Sequence, residues 1–356
     1  MKKINQLKTK RLEIVGERSS SLITVGESFS SVGNYLPEKN VHIITDENVF
    51  DLYSPEFPDF PVIKIRAGEE FKDLNTVQNI FKELLEFGAD RYSFILAVGG
   101  GVVCDIAGFV ASTYMRGIRF GFISTTLLSQ VDASVGGKNG VNLGNVKNII
   151  GVFNQPEFVL CDPTLLSTLP ERELISGFAE VIKYSLIWDL ELFFDIEKNS
   201  KKLLQLDPEF IQRIVWTSIN IKKQVVEQDE LEAGLRRILN FGHTFGHAIE
   251  KTHGLTHGEA IAFGMLLAVY ISEKERFLSK NEAEQVNAII LSTGLIADLE
   301  LDQNRILKAL QSDKKRKGDS IQFILINGIG NAIDWQTNFS KLEEYFIEWL
   351  NTISLK

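Results

Sequence analysis

An apolar run, Phe94-Ile95-Leu96-Ala97-Val98, leads directly into Gly99-Gly100-Gly101 and then into a helical pattern. A short run rich in β-branched and aromatic residues, closed by glycines, reads as a buried strand. Glycines at such a turn let the backbone bend sharply and let another group approach it closely. Val41-His42-Ile43-Ile44-Thr45, Val62-Ile63-Lys64-Ile65 and Phe120-Gly121-Phe122-Ile123 have the same texture. Leu74, Val77, Ile80, Phe81, Leu84 and Leu85 fall at helical spacing before Gly88, which predicts a helix between two of these strands. Strand, helix, strand in this order predicts a parallel sheet with crossover helices.

The texture changes near Pro163. The segments 171–187, 208–228, 242–252, 258–277 and 280–292 read as helices, and Ile321 to Ile326 is the one later strand candidate. With 356 residues, the chain exceeds what one hydrophobic core usually serves. The expectation is an α/β domain with a parallel sheet over 1–165 and a mainly α-helical domain over 166–356. Clefts between such halves are common ligand sites.

The net charge of −9 excludes a broadly basic face for nucleic acid or anionic membrane, though a local cluster of cations could still take an anionic ligand. Cys104 and Cys161 stand in apolar surroundings and form no CxxC pair, so buried, reduced thiols in a cytoplasmic protein are expected. The segment 1–18 is basic but lacks an apolar run of signal-peptide length. The longest apolar stretch, 260–271, is interrupted by Gly264 and falls short of the ~20 residues of a membrane span.

Chemistry concentrates at a few places. The glycine turn opens a helix whose first N–H groups suit a diphosphate, although GGG is not the GxGxxG fingerprint. Asp105, a turn into that helix, reads either as a ribose ligand or as an acceptor for helix N–H groups, and Thr125-Thr126 either as hydroxyl donors or as a strand-end cap. Four of the five histidines, His243, His247, His253 and His257, fall within fifteen residues. His243 and His247 share a helix face and suit a divalent metal, but a zinc site needs a third ligand, and the sequence His243-Thr244-Phe245-Gly246-His247 lacks the glutamate of a metalloprotease HExxH. Glu180 and Lys183 lie three apart on an apolar helix, where buried charges require partners. Lys138 and Lys147 follow Asp132 in glycine-rich segments that read as loops and point to capture of phosphate or carboxylate. The basic run 313–317 reads mostly as solvated surface.

Lined up, these segments resemble the 3-dehydroquinate synthases, within the sugar phosphate cyclases, over nearly the whole length. The resemblance is carried by Gly68-Glu69-Glu70-Phe71-Lys72, by Gly99 to Asp105, by Thr125 to Asp132 and by Val135-Gly136-Gly137-Lys138. It continues through Ser176 to Tyr184, Gly234-Leu235-Arg236, Asn240 to Glu250 and His257-Gly258-Glu259-Ala260. It implies an NAD-binding α/β domain, a helical metal-binding domain and a homodimer. Its metal ligands would be Glu180, His243 and His257, holding zinc or cobalt. NAD would meet Asp46, Glu69, Glu70, Phe71, Lys72, Gly100, Gly101, Val102, Val103, Asp105, Thr125, Thr126, Lys138 and Lys147. The substrate, 3-deoxy-arabino-heptulosonate 7-phosphate, would meet Lys138, Asn148, Lys183, Lys222, Arg236, Asn240 and Lys314, with Asp132 also in the site and Arg116 reaching in from a neighbouring subunit. His247 and Lys138 would serve proton handling and alkoxide stabilisation. The implied reaction oxidises C5, eliminates phosphate, reduces C5 again and closes the ring by an aldol step, in the shikimate pathway.

Three features depart from the family pattern. Cys104 stands where a smaller residue is usual, 142–147 lacks the usual Pro-Leu-Gly, and the segment from His243 to His257 is short, which leaves His253 as an alternative third ligand. Rival readings are a related cyclase acting on another sugar phosphate, a glycerol-type metal-dependent NAD alcohol dehydrogenase, and a nucleotide-binding regulator without catalysis. The regulator would leave the histidines and lysines without a purpose.

Overall fold

The computed structural model describes residues 8–16, 19–144, 146–311 and 320–353. They group into two compact units, Met1–Pro170 with Leu206–Leu231, and Glu171–Gln205 with Glu232–Lys356.

The first unit is built on strands β1 (Lys10–Val15), β2 (Ser20–Val25), β3 (Val41–Asp46), β4 (Val62–Ile65), β5 (Phe94–Gly99), β6 (Arg119–Ser124), β7 (Lys138–Leu143), β8 (Val146–Phe153) and β9 (Phe158–Cys161). Helices α1 (Glu47–Tyr53), α2 (Leu74–Glu86) and α3 (Gly101–Thr113) connect them. Seven strands form one sheet in the order β1-β2-β9-β6-β5-β3-β4, parallel throughout except for β1 against β2. Every residue of β5 is buried, as a central parallel strand covered on both faces requires. Cys104 and Cys161 are free, buried thiols.

Thr45 pairs with Val98, Gly99 with Ser124 and Asp46 with Ile65, so β3, β4, β5 and β6 end along one edge of the sheet. That carboxyl edge is where doubly wound sheets bind ligands.

The segments around Lys138 and Lys147 read as glycine-rich loops, but Lys138 opens β7 and Lys147 lies in β8, which pair antiparallel. Their glycines serve strand contact. A Cβ on Gly140 would come within 2.7 Å of the Ile150 carbonyl oxygen, and one on Gly151 within 2.7 Å of that of Asn139.

In the second unit α4 (Glu171–Ile187), α5 (Leu190–Asn199) and α6 (Lys201–Leu204) come first. The chain then gives α7 (Pro208–Gln228) to the sheet unit, an excursion that helical texture alone does not reveal. It returns with α8 (His243–His253), α9 (His257–Lys274), α10 (Lys280–Ser292) and α11 (Gln303–Gln311), the hairpin β10 (Ser320–Ile326) and β11 (Ala332–Asn338), and α12 (Phe339–Ile353). The expected strand 321–326 thus finds its partner in β11, which sequence texture did not single out.

Helix α9 is buried on nearly every side. A capping box starts it: the Glu259 amide donates to Thr256 Oγ1 and the Thr256 amide to Glu259 Oε2 at 2.8 Å. Arg172 of α4 then grips the Glu259 carboxylate with two bonds, at 2.8 and 2.7 Å.

Glycines set how closely α4, α8 and α9 approach. A Cβ on Gly258 would overlap the Ser176 backbone of α4. One on Gly264 would overlap the Gly242 carbonyl, and one on Gly246 would sit 3.1 Å from Ile261 Cα. Gly242, at φ 76°, occupies the left-handed region as it turns the chain into α8. Gly264→Ala forces these backbones apart and should destabilise the protein by about 1–3 kcal/mol or more, read by chemical denaturation. An unchanged midpoint would show that the α8–α9 seam has slack.

Candidate metal centre and nucleotide-binding edge

In the second unit, α4 presents Glu180 and, one turn on, Lys183, which are 0% and 1% exposed. They form an ion pair through Glu180 Oε2. The other carboxylate oxygen, Oε1, is faced by His243 Nε2 of α8 at 3.5 Å and by His257 Nε2 of α9 at 3.2 Å.

His243 shows what this grouping is suited to hold. Its Nδ1 lies 2.9 Å from the Phe241 carbonyl oxygen, which can only accept, so Nδ1 carries the proton. The bare Nε2 lone pair therefore points at a carboxylate oxygen. Burial, and then the nearby Lys183 ammonium, hold the His243 pKa well below the usual imidazole range, so this ring stays neutral. Two lone pairs facing one another in a desolvated site repel unless a cation lies between them. A carboxylate with two imidazoles is a donor set for a divalent transition metal.

His257 is in the opposite state. Burial works to lower its pKa, but hydrogen bonding and charge from Glu180 and Glu250 outweigh it and raise the value to about 9. With no metal bound, this ring carries a second proton at neutral pH and is cationic.

Among the described residues, Glu180, His243 and His257 place one ligand atom each within 4.8 Å of one another, and so do His247, Glu250 and His257. His253 belongs to neither group. Its Nε2 accepts the Asp302 N–H at 3.0 Å, so its lone pair stabilises the chain after α10. His247, a turn beyond His243, stacks edge-on against it at a ring separation of 5.2 Å. Glu250 lies 3.9 Å from His257 Nδ1, and the sequence reading gave it no role. The signal was its spacing, three residues after His247 and seven after His243, on the same face of α8.

Arg236 is 1% exposed, on the short 3₁₀ segment Leu235–Asn240, a deeply buried guanidinium. Asn240 ends that segment and donates to Glu232 Oε1 at 2.6 Å. Lys314 lies outside the described residues.

In the first unit the expected nucleotide contacts gather along the carboxyl edge of the sheet. Asp46 ends β3 and caps α1 by accepting the Val49 amide at 2.9 Å. Gly100 starts α3, and no side chain caps it, so the amides of Gly101, Val102 and Val103 face outward from the helix start. A Cβ on Gly100 would come within 2.9 Å of Thr126 Cγ2, so packing alone already requires a glycine here. Thr125 and Thr126 follow β6, with the Thr126 hydroxyl in a reciprocal bond with Ser129.

Glu69, Glu70 and Phe71 form a 3₁₀ turn after β4, and the hairpin docks onto it. Asn142 donates to Glu69 Oε1 at 2.9 Å, and Asn142 accepts the Asn148 amide at 2.8 Å. Buried Lys72 binds Asp105 at 2.5 Å and Asn148 Oδ1 at 2.6 Å, so it ties α3 to β8. Burial raises the Asp105 pKa while Lys72 opposes it.

Lys222 of α7 donates to the Asp132 backbone oxygen at 2.7 Å and pairs with its carboxylate. Lys138 and Lys147 are exposed on the hairpin. Arg116 is exposed with φ 69°, beside Met115 at φ 48°. Of the expected site residues, then, Glu180, Lys183, His243, His247 and His257 form one cluster in the helical unit, while Lys72, Asp105 and Asn148 form another in the sheet unit.

Comparison with known proteins gives this geometry a family. The model for the N-terminal part of 3-dehydroquinate synthase matches residues 62–176, and the C-terminal model matches 177–316. The chain belongs to the 3-dehydroquinate synthase family. A 3-dehydroquinate synthase of Thermoanaerobacter pseudethanolicus is 42% identical over 332 residues, covering 89% of this chain and 93% of that protein. One of Thermodesulfovibrio yellowstonii is 44% identical over 338 residues, covering 90% and 94%. Among solved structures, 2-deoxy-scyllo-inosose synthase complexed with carbaglucose-6-phosphate, NAD+ and Co2+ superposes with a TM-score of 0.83 at 28% identity, covering 95% of this chain and 100% of that one. A probable glycerol dehydrogenase from Sinorhizobium meliloti, at TM-score 0.58, 19% identity and coverage of 92% and 95%, shares the fold. Among the described residues, no helix is long and apolar enough to cross a membrane.

A metal ion bound by His257 would have to displace its second proton, held with a pKa of about 9. Metal affinity should therefore rise about tenfold per pH unit up to that value and level off above it. Calorimetry with zinc at pH 7 in buffers of different ionisation enthalpy should register release of about one proton. Release of none would mean that His257 does not ligate.

Proposed function

We propose that this protein is a 3-dehydroquinate synthase, an NAD- and divalent-metal-dependent lyase that converts 3-deoxy-arabino-heptulosonate 7-phosphate to 3-dehydroquinate and phosphate. The observation that carries the proposal is the buried Glu180 oxygen faced by two imidazole nitrogens, in a chain that belongs to this family. When bound, NAD would supply a temporary hydride acceptor, and a zinc or cobalt ion would supply a Lewis acid for the developing alkoxide.

The protein's own residues do the rest. Glu180, His243 and His257 hold the ion. The outward amides after Gly100 take the diphosphate, and Asp46, Glu69 to Lys72, Asp105, Thr125, Thr126 and Lys147 hold the remainder of NAD. The cations Lys138, Lys183, Lys222 and Arg236, with Asn148, Asn240 and Lys314, bind the carboxylate, hydroxyls and phosphate of a strongly anionic substrate. Their local positive charge outweighs the net −9 of the chain. Asp132 holds Lys222 in place, and Arg116 serves a neighbouring subunit in a cytoplasmic homodimer. His247 and Lys138 handle protons and stabilise the developing alkoxide, while the substrate's own phosphate is a base for the elimination. The 1–165 region is the NAD domain, and 166–356, apart from the α7 segment that joins the sheet unit, is the metal and substrate domain.

A related sugar phosphate cyclase would share most of this machinery, as the likeness to 2-deoxy-scyllo-inosose synthase illustrates. The likeness to glycerol dehydrogenase is one of fold alone. A phosphate-release assay separates the three readings. The heptulosonate phosphate should yield phosphate with no net NADH, need NAD, stop on chelation and resume on metal add-back. Turnover only of a sugar phosphate without the carboxylate would favour the cyclase rival, and bulk NADH the dehydrogenase. His243→Ala should lose turnover and bound metal together, since it removes one of three ligands. Full metal content in that variant would refute the ligand set.

A further inference from the structure

Two imidazoles face Glu180, and each must present a bare Nε2 to a metal. For His243 the Phe241 carbonyl enforces this at 2.9 Å from Nδ1. For His257 the atom beyond Nδ1 is a carboxylate oxygen, Glu250 Oε2, at 3.9 Å, on a side chain only 10% exposed. Glu250 sits on α8, the helix that carries His243, whereas His257 begins α9. The seam between these helices is fixed by Gly246 and Gly264, so the carboxylate and the ring are held in register by backbone contact.

We propose, resting on the metal-site reading above, that Glu250 is a positioning residue for the metal. Its carboxylate takes the Nδ1–H of His257, which fixes the ring's tautomer and turns Nε2 toward Glu180. A carboxylate behind a ligating imidazole makes that nitrogen more basic and limits ring rotation. Charge supplies a second reason. Lys183 is paired with Glu180, so the positive ammonium cancels most of the negative charge that the ligand set presents to a dication. Glu250 restores it from outside the ligand shell, where it does not occupy a position that a substrate oxygen needs.

The test uses the full-length protein and the metal alone. Zinc and cobalt affinities are measured by chelator competition for the native protein, Glu250→Gln, Glu250→Leu and His243→Ala. Selective 15N labelling of histidine, of which the chain has five, follows the Nδ1–H of His257 in the zinc-loaded protein. Glu250→Gln keeps the size of the side chain and should lose about 10- to 100-fold in metal affinity, with Glu250→Leu losing at least as much. The His257 Nδ1–H resonance should move upfield in Glu250→Gln while that of His243 stays in place.

Native affinity in Glu250→Gln, with His243→Ala still losing the metal, would overturn the positioning role and leave the ligand set standing. Equal binding by the native protein and His243→Ala would instead sink the metal-site reading itself. Uptake of two equivalents of cobalt by the native protein and one by Glu250→Gln, at unchanged affinity, would make Glu250 a ligand to a second ion with His247 and so also overturn the proposal. A fall in the melting temperature of the metal-free Glu250→Gln protein without any loss of metal affinity would reduce Glu250 to a packing residue.

Discussion

A carboxylate with no solvent exposure, Glu180, dominates the helical unit. Removing an ionised carboxyl group from water costs several kcal/mol even after the surroundings relax, so the fold must compensate it. Lys183 does so on one oxygen, and the two imidazoles stand at the other. Helix α9 is gripped at its start by Arg172 and Thr256, so His257 cannot swing away from this charge. The arrangement of α4, α8 and α9 follows from the need to bring these groups together without water.

The sheet unit solves a different problem with different means. There the candidate binding groups are backbone amides at a helix start and side chains at strand ends, brought side by side by parallel register. Lys72 lies under this edge as a buried cation shared between Asp105 and Asn148. The helix that carries Lys222 leaves the helical part of the sequence to join this unit, and it places that ammonium on Asp132.

Much of this was legible in the sequence, because the relevant signals are local. Strand β5 and its glycines, the helical spacing of α2, and the clustering of the histidines each follow from residues near one another in the chain. The burial of Glu180 and Lys183 was legible from the apolar residues around them. Long-range facts were not. Nothing near Lys138 reveals that Gly140 and Gly151 meet across a hairpin, and nothing within 208–228 tells which unit that helix joins. Choosing His257 over His253 required the family pattern, because one ring ends α8 and the other begins α9 only four residues later. Only the bond from the Asp302 amide to His253 explains physically why that ring serves another purpose.

The close seams at Gly246, Gly258 and Gly264 limit how this centre can be altered by substitution. Side-chain seams can be re-tailored in small steps, since one rotamer or methyl group gives way to another. Where a main-chain carbonyl abuts a bare α-carbon there is no intermediate step, because even one methyl group must move a helix. Change at these seams is then all or nothing, whereas the side chains that the same helices display can vary by degrees.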